Sequence, residues 1–175
     1  MITIQLINKE MSEEILQFEL ENRKFFSKVM GDFGDEYYNL DYMNQLLREI
    51  EEDHSKDNRH MYIIRDEENK MVGRVNLYSI VRGPLNKAEI GYRISEKHNG
   101  KKYATKAVHL MIKEAFEVYN FHRLEASTSP KNIGSQVVLI KNHFQFVGKT
   151  SKFIKVGDHW LDSIHFSLLK EEYRA

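Results

Sequence analysis

Along the first residues Ile2, Ile4 and Leu6 alternate with Thr3, Gln5 and Ile7, a period of two that predicts a half-buried strand. From Ser12 to about Val29 the spacing turns helical. Ile15, Leu16, Phe18, Leu20, Phe25 and Phe26 fall on more than one face of that helix. After GDFGDEYYNL, a turn-prone stretch with two glycines, Tyr42, Met43, Leu46, Leu47 and Ile50 recur at helical spacing and predict a second helix. The charged run EEDHSKDNR reads as its solvated end and a loop.

Two strand-like runs follow, HMYIIRD and KMVGRVNLYSIV, parted by EENK as a hairpin would be. KAEIGYRI then sets Ala88, Ile90, Tyr92 and Ile94 against Glu89, Gly91 and Arg93, a strand with two distinct faces. SEKHNGKKYATKAV opens the clearest helix, whose apolar series runs from Ala104 to Tyr119 and ends at NFH. RLEAST predicts a strand, SPKN a loop, and IGSQVVLIKNHF a helix with Asn132 as its N-cap. Gln145 to Val156 and Trp160 to Leu169, joined at Gly157-Asp158, predict two last strands. The order β, α, α, β, β, β, α, β, α, β, β implies one mixed α/β domain over residues 1–175, with a central sheet flanked by helices.

Composition narrows what such a domain does. Twenty-six basic residues balance twenty-six acidic ones, so no global field draws the chain to nucleic acid or anionic lipid. With no cysteine, disulfides, thiol nucleophiles and sulfur-ligated zinc are excluded. The eight histidines lack H-x-x-x-H spacing, and no metal is expected. No stretch approaches the ~20 apolar residues of a membrane span, and no basic segment with a long apolar run opens the chain. A soluble, cytoplasmic protein is the expectation.

The candidate chemistry lies where the KAEIGYRI strand runs through a short polar loop into the long helix. Such a turn aims unpaired backbone N–H groups at one point, and the helix dipole favours an anion there. Lys101, Lys102 and Lys106 add positive charge. A pyrophosphate cradle and a plain exposed basic helix start both fit these residues. Neither G-x-x-x-x-G-K-[ST] nor G-x-G-x-x-G occurs, so P-loop and dinucleotide fingerprints are absent.

The stretch AEIGYRISEKHNGKKYATKAVHLMIKEAF, then HRLEAST, SPKNIGSQVVLIKNHFQFVGK and WLDSIHFSLLKEEY, resembles the GNAT acetyltransferase superfamily. Within it the chain is most similar to the RimJ/RimL branch of ribosomal-protein N-terminal acetyltransferases. The resemblance runs from about Met61 to Tyr173, and FELENRKFF extends it to the first helix. It implies a single-domain GNAT-like fold, with a mixed, mostly antiparallel sheet and a splayed parallel strand pair. Acetyl-CoA would lie in that splay, its pantetheine arm on the backbone of Tyr92, Arg93 and Ile94. Its pyrophosphate would be held by Asn99, Gly100, Lys101, Lys102, Tyr103, Ala104 and Thr105, with Asn132 nearby. One departure stands out: Lys102 occupies the place of the superfamily's central glycine, where a side chain disfavours a glycine-type backbone.

Many superfamily members protonate the departing thiolate with a tyrosine that maps onto Leu139, and leucine cannot serve. In the RimL-like branch that role belongs to a serine, which maps onto Ser135; a first-turn serine bonding only backbone is the bland alternative. Glu89 is the candidate base, Glu125 its rival, and water suffices for an α-amino group whose pKa is near 7.7–8.0. Trp160 and the loop residues Asp32, Asp35, Glu36, Tyr37 and Tyr38 are candidates to border the acceptor site, beside the more common readings of a packing tryptophan and a plain solvated loop. The acceptor implied is a protein N-terminus. A polyamine or small amine, and a weakly active CoA-binding module, are the alternatives, and a homo-oligomer is allowed.

Overall fold

The computed structural model describes residues 1–173. Seven strands form one sheet in the order β1-β2-β3-β4-β5-β7-β6, from β1 (Thr3–Leu6), β2 (His60–Arg65), β3 (Met71–Val81), β4 (Lys87–Ile94), β5 (Arg123–Thr128), β6 (Gln145–Val156) and β7 (His159–Leu169). All neighbours pair antiparallel except β4 and β5. Helices α1 (Ser12–Met30) and α2 (Leu40–Ser55) cover one face, and α3 (Tyr103–Lys113) and α4 (Ile133–Lys141) the other.

The period-two pattern of β4 decides what each face receives. Ala88, Ile90 and Ile94 enter the main core with Val75, Leu77, Met111, Phe116 and Phe121, whereas Glu89, Gly91 and Arg93 look toward α1 and α2. A smaller core joins Ile15, Met43, Leu47, Ile50 and Ile63 under those two helices. Full burial of one such side chain contributes about 1.5–3 kcal/mol. Caps fix the helix starts that matter. Asn39 Oδ1 accepts from the amide nitrogens of Asp41 and Tyr42, and Asn132 Oδ1 accepts from that of Ser135 at 3.1 Å.

Four details depart from the sequence reading. Leu6 is 40% exposed, and Ile2 and Ile7 are the buried members of that segment, because β1 is an edge strand and Ile7 packs into the α1–α2 core. The clearest helix is not regular to Tyr119. After Lys113 it widens into a π turn over Glu114–Val118, and the Tyr119 hydroxyl meets that of Tyr62 at 2.6 Å. The fourth helix stops at Lys141, not Phe144, because His143 turns left-handed and Asn142 Nδ2 donates to the Thr105 carbonyl on α3. The last strand begins at His159.

Candidate active site

Strands β4 and β5 pair only over Lys87–Glu89 and Arg123–Glu125. Beyond Glu89 they diverge, and the β5-side edge of Tyr92, Arg93 and Ile94 is left without a strand partner. A groove of about 530 Å³ occupies the gap. It runs from these residues past Asn99 and Gly100 to Lys102, Tyr103, Ala104 and Thr105, with Asn132 and Ser135 of the facing helix start on its other wall. Phe25 and Phe26 of α1 close one side. Of the residues expected to hold the cofactor, only Lys101 does not line this groove. His98, which the sequence reading passed over, lines it instead, its Nδ1 2.6 Å from Ser95 Oγ. Burial, then Lys101 and Lys97, lower the His98 pKa and favour a neutral ring.

The turn into α3 is built to leave amides free. No side chain caps this helix, so its first N–H groups have no side-chain acceptor and face the groove with the positive end of the dipole. Gly100 and Lys102 both adopt positive φ, +78° and +63°. Lys102 thus takes the left-handed conformation that glycine adopts readily, at a cost of about 1 kcal/mol for an L-residue. Its side chain is exposed, so the turn is kept and the amides are not crowded. An extended ligand bearing a diphosphate fits an open strand edge that ends at uncapped amides.

A second cavity, about 770 Å³, opens on the α1–α2 side and meets the groove at Tyr92, Arg93, Asn132 and Ser135. Its floor is the β3–β4 face, where the register sets Tyr78 beside Glu89, Asn76 beside Gly91 and Arg74 beside Arg93. A Cβ on Gly91 would lie 2.9 Å from the Tyr78 ring, so the glycine is what lets that ring lie down on the floor. Desolvation, and then the Glu89 carboxylate, push the Tyr78 phenol up to about 12. Met30, Phe33 and Tyr37 form one wall, and Phe153, Ile154 and Leu161 of the last hairpin the other.

At the junction, Tyr92 reaches across the splay. Its hydroxyl lies 2.9 Å from Ser135 Oγ and 3.1 Å from the Ser135 carbonyl. Burial raises the Tyr92 phenol to about 12, and the bond to Ser135 works in the opposite direction. Leu139 is buried in the same wall and carries no proton.

Other sequence candidates separate here. Glu89 lines the second cavity, whereas Glu125 accepts from Lys87 Nζ at 2.6 Å and lies outside it. Trp160 is 57% exposed and does not line the cavity; its neighbour Leu161 does. Asp32 and Asp35 are held by Arg23 at 2.6 and 2.8 Å, and Tyr38 lies under the same guanidinium, so of that loop Tyr37 and Phe33 face the cavity. Sequence reading missed Glu19, buried in α1 between Arg74 and Arg93. No local signal marks it, since its partners are 55 and 74 residues away.

The family model described as Acetyltransferase (GNAT) domain matches residues 10–145. The chain belongs to the GNAT acetyltransferase family. Among curated relatives it is 35% identical over 162 residues to the Probable N-acetyltransferase YjcK of Bacillus subtilis, covering 92% of this chain and 90% of that one. Its fold superposes on the ribosomal-protein-S5-alanine acetyltransferase of Vibrio fischeri with a TM-score of 0.92 at 23% identity, covering 99% and 96% of the two chains. The spermidine N-acetyltransferase of Vibrio cholerae, solved with CoA and spermine, aligns with a TM-score of 0.81 at 16% identity, covering 98% and 96%. This GNAT acetyltransferase therefore transfers acetyl groups. Among its described residues no helix is long and apolar enough to cross a membrane.

Proposed function

We propose that this GNAT acetyltransferase moves acetyl from acetyl-CoA to the α-amino group of a protein N-terminus, by direct attack of the amine and in the manner of the ribosomal-protein enzymes. The observation that carries the reading is the meeting of two cavities at Ser135 and Tyr92, one with uncapped amides and an open strand edge, the other with Glu89 on its floor.

Acetyl-CoA supplies an acetyl group already activated as a thioester. The amides of Tyr103, Ala104 and Thr105 would hold the diphosphate, and the free edge of Tyr92–Ile94 would receive the extended arm. Glu89 takes the proton that the attacking nitrogen sheds, directly or through one water. Ser135 gives its hydroxyl proton to the departing sulfur. Tyr92, protonated at neutral pH because its pKa stands near 12, holds the Ser135 hydroxyl, restores its proton and regains its own from solvent, to which Glu89 releases the proton it took. The base has little to do, because an α-amino group is partly neutral at pH 7–8.

A polyamine fits the acceptor cavity less well. Its only acids among the described lining residues are Glu89 and Asp162, and Asp162 is held by Lys149 at 2.7 Å, while Arg59, Arg74 and Arg93 line the same space. A non-catalytic module loses its main support, since Lys102 keeps the glycine-type turn. The test is mass spectrometry of protein N-termini from cells with and without the chain. An acetyl mark lost from a defined set of termini is expected; an unchanged set would overturn the assignment.

A further inference from the structure

The floor of the acceptor cavity holds polar groups for which the transfer step has no use. Arg74, 3% exposed, donates from Nη1 to Glu19 Oε1 at 3.1 Å, yet its Nε has no hydrogen-bond partner. Two positions along the same strand face, Asn76 Oδ1 is buried and also without a partner. Both residues line the cavity. Leaving a buried donor or acceptor unmade costs about 1–3 kcal/mol, and native interiors keep few of them. An unmatched N–H and an unmatched amide oxygen, on two residues of one cavity wall, complement a ligand that carries a carbonyl beside an N–H when their side chains turn toward the cavity.

Charge points the same way. Glu19 serves both Arg74 and Arg93, so this buried triad carries one net positive charge. Of the other charged residues lining the cavity, Arg59 pairs with Asp53 at 2.6 Å and Asp162 with Lys149 at 2.7 Å. Glu89 is left at one end of the floor and the arginine row at the other. Arg93 stands four residues on from Glu89 along the strand, roughly 13 Å of floor at 3.3 Å per residue. Asn76 and Gly91 lie between them.

We propose that Arg74 and Asn76 form a subsite for the carbonyl next to the acceptor amine, so that the enzyme selects α-amino carbonyl compounds and discriminates against amines without one. Arg74 Nε donates to the ligand oxygen and Asn76 Oδ1 accepts from a ligand N–H, while Glu89 faces the amine. The proposal rests on the second cavity being the acceptor site. A peptide N-terminus and a free amino acid share this chemistry.

Thiol release from acetyl-CoA is measured with four acceptors: alanyl-alanine amide, alanine, isopropylamine and spermidine. The expected kcat/KM for one of the two carbonyl compounds exceeds that for isopropylamine and spermidine by about 10²-fold or more, as sites built to hydrogen-bond a group reject analogues that lack it. In Asn76→Ala, which leaves the triad intact, that ratio falls to within about threefold, mainly through KM. Equal rates for all four acceptors would sink the subsite while leaving acetyl transfer standing. Preference for alanine over alanyl-alanine amide would support the subsite and overturn the protein N-terminus as acceptor. If no acceptor releases thiol, the catalytic reading fails, and calorimetry on the CoA-saturated protein decides the subsite. Binding of alanyl-alanine amide but not isopropylamine, lost in Asn76→Ala, supports it; equal or absent binding of both overturns it.

Discussion

The Tyr92 hydroxyl lies 2.9 Å from Ser135 Oγ across the gap where β4 and β5 separate. This contact joins the splayed strand to the start of α4 at the boundary of both cavities. It also brings a phenol into the cavity that Leu139 lines. With its pKa near 12 the phenol stays protonated through the neutral range, and it donates to the Ser135 carbonyl at 3.1 Å.

Ser135→Ala is expected to lower kcat by about 10²-fold while the acetyl-CoA Kd, read by calorimetry, stays nearly constant. Tyr92→Phe should lower kcat less, by about tenfold. The double variant should be no slower than Ser135→Ala, because a residue that acts through Ser135 has nothing left to act on. Additive losses would mean that Tyr92 works independently, and a wild-type rate in Ser135→Ala would remove the serine from the chemistry.

Lys102→Gly tests the turn into α3. Glycine relieves the left-handed lysine by about 1 kcal/mol but has more chain entropy to lose on folding, so the melting temperature should move by only a few degrees. Acetyl-CoA should bind equally well or better. A tenfold or larger loss of affinity would instead assign the Lys102 ammonium to the phosphates.

Glu19→Ala should cost about 3–5 kcal/mol, because the buried Arg74 and the partly buried Arg93 would be left without their carboxylate. Thermal denaturation should show a fall of ten degrees or more. A melting temperature within two degrees of wild type would mean that water or a neighbouring group replaces the carboxylate.

Acid should destabilise the protein through His54. Its Nε2 accepts the Met61 N–H at 3.1 Å, which a protonated ring nitrogen cannot do, and burial with His60 and Arg59 lowers its pKa from 6.5 to about 4. The unfolded chain therefore binds more protons between those values, and stability falls as pH drops from 6.5 toward 4. Urea midpoints at pH 5 and 7.5 should differ less in His54→Gln, whose side-chain oxygen accepts the same bond without titrating. An identical pH dependence in the variant would assign the acid sensitivity to other groups.

The helix and strand order, the Asn132 cap and most of the groove lining were legible in the sequence, since each is written in residues a few positions apart. Apolar spacing gave α3 its face, and Asn132 stands three residues before the amide that it caps. The errors fell where tertiary contacts override local pattern. The π turn after Lys113 leads into Tyr119 against Tyr62, α4 is cut short beside Asn142 on Thr105, and Trp160 turns away while Leu161 turns in.

By itself, then, the sequence determined the family, the alternation of elements and the loop that faces the groove, because periodicity and turn chemistry act over short stretches of chain. Only the tertiary structure put Glu89 in the cavity and Glu125 outside it, brought Tyr92 to Ser135 and set Glu19 between two arginines. Those relations depend on strand register and on which helix covers which face, and both are fixed by packing between segments distant along the chain.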